Sequence, residues 1–211
     1  MTIIVAIKDV SGVYVGSDSI ISSDDEIIEF GSKVVFAPNF AIAFSGSVKG
    51  GQLLFEHLSK CKKKINNVLD CMELARFIRK IYAKEGIQQS LSGVNFPEMD
   101  ACLILCTVDS IYLILEDYSV LDVTKSGHTA QGAGGPYAAG ALDGLRFSDL
   151  PPRAKLEIAI QSSIERHPNC GGNPHIYKVE YNERPKRNST KKQKDNGETK
   201  PVKRSSNTKK S

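Results

Sequence analysis

The chain has 211 residues with 40% hydrophobic and 25% charged side chains, enough for one domain with a sizeable core and too few for two independent catalytic domains. No run approaches the ~20 apolar residues that a helical bilayer crossing needs, so a helical membrane span is excluded. The formal charge of +4 is unevenly spread: Glu183–Ser211 carries 11 of the 28 Lys/Arg and 3 of the 24 Asp/Glu, which leaves a body with 17 basic and 21 acidic residues.

The pattern is strand-like from the start. Ile3–Ile7 and Val13–Asp18 flank the turn residues Asp9-Val10-Ser11-Gly12 and predict a hairpin. An acidic loop follows at Asp24–Glu26. Lys33–Ala37 and Phe40–Ser45, separated by Pro38-Asn39, predict a second hairpin. The period then lengthens to about 3.6, with Leu54, Leu58, Cys61 and Ile65 on one helical face. Asp70 with Glu73 reads as a capping box before a helix carrying Leu74, Ile78 and Ile81.

Ala101–Val108, Ile111–Leu115 and Val120–Val123 then predict a meander. A short strand at Thr129–Gly132 runs into Gly132-Ala133-Gly134-Gly135-Pro136, where Pro136 suits the first turn of a helix ending near Leu145. Pro151-Pro152 opens a last helix with Leu156, Ile160 and Ile164 on one face, stopped by Pro168, Gly171 and Gly172, and Ile176–Tyr181 supplies a final strand. Strands, two helices, strands, two helices and a strand imply a layered α+β fold with helices outside antiparallel sheets. From 183 onward Val202 is the one large aliphatic residue. We therefore read 1–182 as the folded domain and 183–211 as a basic, disordered tail.

Chemistry centres on Thr2. Removal of Met1, expected before so small a residue, would leave a hydroxyl and a free α-amine on one residue. Such an amine titrates near ~7.7–8.0, so nucleophile and base stand together without a histidine. Asp18 ends the second strand and returns to the start of the first; Lys33 begins the third. A lysine beside the hydroxyl lowers its pKa, and a carboxylate keeps the lysine charged and oriented. Phe44-Ser45-Gly46-Ser47 passes from a strand into a helix start, where free N–H groups suit an oxyanion.

The motifs Thr2-Ile3-Ile4-Val5-Ala6, Gly16-Ser17-Asp18, Gly31-Ser32-Lys33-Val34, Ala43-Phe44-Ser45-Gly46 and Gly132-Ala133-Gly134-Gly135-Pro136-Tyr137-Ala138 resemble, in order and spacing, those of the N-terminal-threonine proteases. These are the proteasome β subunits and, more closely, the HslV peptidase of bacterial HslUV. The resemblance runs over about Thr2–Tyr181. It implies the four-layer αββα sandwich of the Ntn-hydrolases, with Thr2 as nucleophile and base, Lys33 and Asp18 as supporting charges, and the Gly46 N–H as oxyanion donor. It also implies that a peptide substrate adds a strand along the backbone around Ser22 and Gly46, with Ile21 and Phe44 lining the specificity pocket. A homo-oligomeric ring fed by an ATP-dependent unfoldase follows from the same likeness.

The sequence departs from that pattern at Ala133, where the family has a serine, and at His167, where an aspartate often follows the arginine. A non-catalytic ring or scaffold protein of the same fold, with the basic tail recruiting partners, is therefore the alternative. The tail's excess charge suits an acidic protein surface or non-specific nucleic acid, without aromatic residues for base stacking. The five cysteines, Cys61, Cys71, Cys102, Cys106 and Cys170, form no CxxC pair and read as reduced structural thiols. His57, His128, His167 and His175 lack metal-ligand spacing, and the glycine turn at Gly132–Gly135 lacks the residues of a nucleotide cradle. No cofactor or metal is expected, and with no signal peptide the location expected is cytoplasmic.

Overall fold

The computed structural model describes residues 2–22, 26–87, 89–90, 97–99 and 101–180. In chain order the elements are β1 (Ile3–Asp9), β2 (Gly12–Ser17), β3 (Ile20–Ser22), β4 (Ile27–Glu29), β5 (Val34–Phe36), β6 (Ala41–Gly46), α1 (Val48–Leu58) and α2 (Val68–Lys84). Then come β7 (Gln89–Ser90), β8 (Pro97–Glu98), β9 (Ala101–Cys106), β10 (Ile111–Ile114), β11 (Val120–Asp122), a 3-10 turn (Thr124–Ser126) and β12 (His128–Gly132). The helices α3 (Gly135–Gly144) and α4 (Pro152–Arg166) and the strand β13 (His175–Lys178) complete the domain.

Two antiparallel sheets carry the architecture, one of order β12-β1-β2-β13 and one of order β11-β10-β9-β6-β5. The alternation of side chains along β1 explains why it is buried on both faces. Ile4 and Ala6, with Val13 and Val15 of β2, face Val34, Ala41, Ala43, Ile104 and Cys106 of the other sheet. Ile3, Val5 and Ile7 point the other way, onto Ala138 and Leu142 of α3 and Leu156, Ala159 and Ile160 of α4. The outer face of the five-stranded sheet, through Ile42, Phe44, Leu103, Leu105 and Tyr112, meets Leu54 and Leu58 of α1 and Leu74, Ile78 and Tyr82 of α2. The fold is thus mixed helix and antiparallel sheet, and among the described residues no helix is long and apolar enough to cross a membrane.

Several boundaries differ from those read in the sequence. The first helix ends at Leu58, so Cys61 and Ile65 follow it in a non-helical connection. Ile65 is still buried against the same core, which is why the apolar period carried on past the helix. The cap of α2 is Asn67, whose side chain accepts from the N–H groups of Leu69 and Asp70. Asp70 sits in the first turn and accepts from the Asn66 N–H at 2.9 Å, while Glu73 pairs with Lys63. The N-cap expected at Asp70 thus lies three residues earlier, at Asn67, because asparagine caps as well as aspartate does, and among the described residues the reciprocal bond expected from Glu73 does not form.

The hairpin of β3 and β4 was not foreseen: all three β4 residues are exposed, so no apolar alternation marks them. The acidic stretch it encloses lies partly, at Asp24 and Asp25, outside the described residues. The closing strand stops at Lys178, and the tail expected at 183–211 lies outside the described residues as well.

Candidate active site

Thr2 lies immediately before β1, at the sheet end to which β2 returns. The register pairs Ile4 with Ser17 and so sets Asp18 beside Ile3. The Asp18 N–H donates to the Ile3 carbonyl at 3.3 Å, and Asp18 Oδ1 accepts from the Ile3 N–H at 3.2 Å. Lys33 comes from the other sheet, one residue before β5. Its own N–H is held by Ser17 Oγ at 3.1 Å, and its carbonyl accepts from the Phe44 N–H at 3.1 Å. Two backbone anchors on different strands therefore fix where its side chain starts.

The three side chains meet in a closed triangle. Lys33 Nζ donates to Thr2 Oγ1 and to Asp18 Oδ1, and the Thr2 hydroxyl donates to Asp18 Oδ1. Thr2 is 4%, Lys33 3% and Asp18 0% exposed. Burial lowers the Lys33 pKa below the ordinary lysine value, with the Asp18 carboxylate opposing. Asp18 Oδ2 accepts a further bond from the Gly171 N–H at 3.2 Å. A carboxylate this enclosed is tolerable because both oxygens are bonded and a cation touches it.

Gly46 closes the opposite wall. Along a strand, N–H groups alternate between edges. Since the Phe44 N–H points toward Lys33, that of Gly46 points the same way, where β5 has not yet begun. Gly46 adopts φ 103°, a left-handed backbone that glycine takes without strain. The α1 N-terminus follows at once, capped by Ser47 accepting from the Gly50 N–H at 3.3 Å. The α1 N-terminus thus brings partial positive charge next to Gly46.

Two cavities flank Thr2. A tight pocket of about 20 Å3 is lined by Ile20, Ile21, Phe30, Phe44 and Val48 together with Lys33 and Gly46; the rings of Phe30 and Phe44 meet edge to face at 6.4 Å. An open cleft of about 310 Å3 on the other side is lined by Ser45, Gly46, Ala101, Cys102, Glu116, Gly132 and Ala133. Of the residues singled out in the sequence, Thr2, Asp18, Lys33, Gly46, Ile21 and Phe44 are thus gathered at one point. Ser22 is one residue beyond and lines neither cavity; its hydroxyl donates to the Asn169 carbonyl at 3.4 Å, leaving a main-chain role for that residue.

Ala133 puts a methyl group on the cleft wall beside Thr2. Its neighbour Gly132, at φ 95°, lies so close that a Cβ there would stand 2.3 Å from the Thr2 carbonyl oxygen. His167 does not reach Thr2. Its N–H ends α4 on the Ser163 carbonyl at 2.9 Å, and its Nδ1 accepts from the Asn169 N–H at 3.2 Å. It shapes the loop that brings Gly171 to Asp18.

That loop went unread in the sequence, where Gly171 and Gly172 served only to stop a helix. Cys170, also in the loop, is buried, and burial followed by the Asp18 charge pushes its thiol up to about 11. It is a neutral wall of the site. Ser17, Glu116 and Cys102 were likewise missed, since nothing local marks a residue whose neighbours in the site are distant in the chain.

No family model and no curated protein matches the chain. Solved structures do. Thiobacillus denitrificans BPH in complex with epoxomicin is 15% identical, over 85% of this chain and 99% of that one, with a TM-score of 0.75. Eukaryotic HslV from Trypanosoma brucei is 18% identical over 83% and 98%, with a TM-score of 0.59. A mutant of Anbu from Hyphomicrobium sp. strain MC1 is 15% identical over 84% and 82%, with a TM-score of 0.63. All three are proteasome-like Ntn hydrolases, and at these identities the likeness is one of fold.

Proposed function

We propose that the chain is a threonine-type peptidase subunit of the Ntn-hydrolase class, its domain 1–182 a four-layer αββα sandwich and its nucleophile the hydroxyl of Thr2 once Met1 has been removed. The observation that carries this reading is the buried contact of the Thr2 hydroxyl with the Lys33 ammonium and the Asp18 carboxylate.

In the reaction, Thr2 Oγ1 attacks the scissile carbonyl and its proton passes to the residue's own α-amine. Lys33 stabilises the developing alkoxide and Asp18 holds Lys33 in place. The carbonyl oxygen, now negative, takes the Gly46 N–H. Collapse breaks the C–N bond, and the proton held on the α-amine goes to the leaving amine. An ester on Thr2 remains. Water then gives a proton to the α-amine as it adds to the ester carbonyl, and the second collapse returns that proton to Oγ1 and frees the acid. The acyl side chain fills the apolar pocket of Ile21 and Phe44, and the backbone of Ser22 and Gly46 pairs with the substrate strand. A homo-oligomeric ring extends the reading, with HslV and the other neighbours as its support; the cytoplasmic setting and the ATP-dependent unfoldase follow from the sequence alone. The tail, 183–211, is then an accessory segment for an acidic partner or non-specific nucleic acid.

The direct test is covalent. A peptide epoxyketone offers two electrophilic carbons, one for the hydroxyl and one for the amine, so it reports on both groups of a terminal threonine. We expect one adduct per chain, mapped by mass to a peptide beginning at Thr2. The reading is overturned if the purified chain retains Met1 and is not labelled. Ala133 and His167 favour the alternative of a non-catalytic ring or scaffold protein, and labelling at Thr2 eliminates it.

The pocket assignment has its own test at Gly51, where a Cβ would stand 2.2 Å from the Phe44 ring. In Gly51→Ala the ring must swing toward the pocket, an overpacking worth ~1–3 kcal/mol against ~1 kcal/mol gained in helix propensity. We expect kcat/KM for valine at the acyl side chain to fall about tenfold relative to alanine there. An unchanged ratio would remove Phe44 from the pocket.

A further inference from the structure

The two cavities at Thr2 differ in chemistry. On the acyl side Ile20, Ile21, Phe30, Phe44 and Val48 wall a tight pocket that also holds Lys33, whereas the open cleft, which on the proposed reaction receives the departing amine half of a peptide, carries a carboxylate on its wall, that of Glu116. Glu116 follows β10 in a tightly tied turn. Its carbonyl accepts from the Met99 N–H at 2.8 Å, and on either side the Leu115 N–H donates to Ser119 at 2.9 Å and the Tyr118 N–H to Leu115 at 2.8 Å. The backbone is fixed, yet among the described residues the Glu116 carboxylate enters no ion pair.

Two basic side chains of this half of the molecule have other partners. Lys33 lies behind Thr2 on Asp18, and the Arg79 guanidinium lies over the Tyr118 ring at 6.0 Å. Cys102 shares the wall; burial, and then the Glu116 charge, push its thiol up, so it adds no competing anion. The wall also continues outward: Cys102 and Glu116 line a second hollow of about 310 Å3 together with Glu98, Leu115 and Asp117. A chain leaving Thr2 in this direction moves from one carboxylate toward two more.

From this placement we infer that Glu116 is a specificity-determining residue that selects substrates with a basic side chain, Lys or Arg, in the first two positions after the scissile bond. The inference rests on Thr2 being the nucleophile, since that fixes which half of the substrate enters the cleft.

The test uses the full chain, trimmed of Met1, and two internally quenched peptides alike except for Lys or Glu at those positions, with cleavage sites verified by mass. An exposed ion pair and the matching repulsion are each worth up to about fivefold, so kcat/KM favours Lys by up to about 25-fold. The ratio shrinks as salt rises from ~0.05 to ~0.5 M. Glu116→Gln reduces it, leaving what Glu98 and Asp117 contribute, and Glu116→Lys reduces it further. Epoxyketone labelling at Thr2 together with equal cutting of both peptides, cutting of neither, or a ratio that Glu116→Lys leaves unchanged overturns the charge selection alone. Absence of both labelling and turnover instead removes the nucleophile, and the selection with it.

Discussion

Replacing Thr2, the proposed nucleophile, by alanine is expected to reduce peptide turnover by at least about four decades, as removal of the nucleophile does in acyl-transfer enzymes. Fold should survive. Lys33 and Asp18 keep each other, and loss of one buried hydroxyl costs ~1 kcal/mol, a shift of about 2–4 °C in Tm at this size. Thr2→Ser keeps the oxygen and the amine but not the branched Cβ that restricts χ1, so turnover should fall only about tenfold. Turnover of a fluorogenic peptide, alongside a melting curve, measures all three chains. Alanine at this position with activity intact would end the hydrolase assignment.

The second large effect is at Lys33, and it has two parts that separate. Lys33→Met leaves the Asp18 carboxylate buried without a cation, a loss of about 3–5 kcal/mol. It also removes the charge that steadies the alkoxide, worth about two to three decades in kcat. Adding Asp18→Asn takes away the stranded charge and should recover most of the stability while recovering no turnover. Denaturant unfolding and peptide kinetics on the single and double variants show the split; recovery of both by the double variant would mean that Lys33 acts only in folding.

The lowered pKa of Lys33 sets the sign of the pH dependence. As pH rises, the folded chain gives up this proton before the unfolded chain does. Between the two values the unfolded state binds more protons, so this group's contribution makes stability rise with pH, and its penalty is full below the folded value. The alkaline limb of kcat/KM should accordingly lie below the ordinary lysine range and vanish in Lys33→Met.

Much of this was legible beforehand because strands and their turns are local. Asp9-Val10-Ser11-Gly12 fixes a hairpin register, and the register carries Asp18 to Ile3; Pro38-Asn39 does the same for β5 and β6. Gly46 stood out as a glycine between a strand and a helix. What stayed hidden depends on chain ends meeting from afar. Gly171 bonds Asp18 across 153 residues, and Cys102 and Glu116 reach the cleft only because β6 pairs with β9 and β9 with β10. The overlong first helix has a different origin: Ile65 is buried by a non-helical connection, and period alone does not distinguish that from another helical turn.

Asp18 belongs to one sheet and Lys33 to the other, and their junction has a bearing on safety. While the halves are apart, each side chain is an ordinary solvated charge and no alkoxide can be sustained. If Thr2 is the nucleophile proposed above, a nascent, unfolded or misregistered polypeptide should be inactive, because the site forms only when the two sheets meet. On the proposed reading, the site is therefore assembled by the same step that closes the interior.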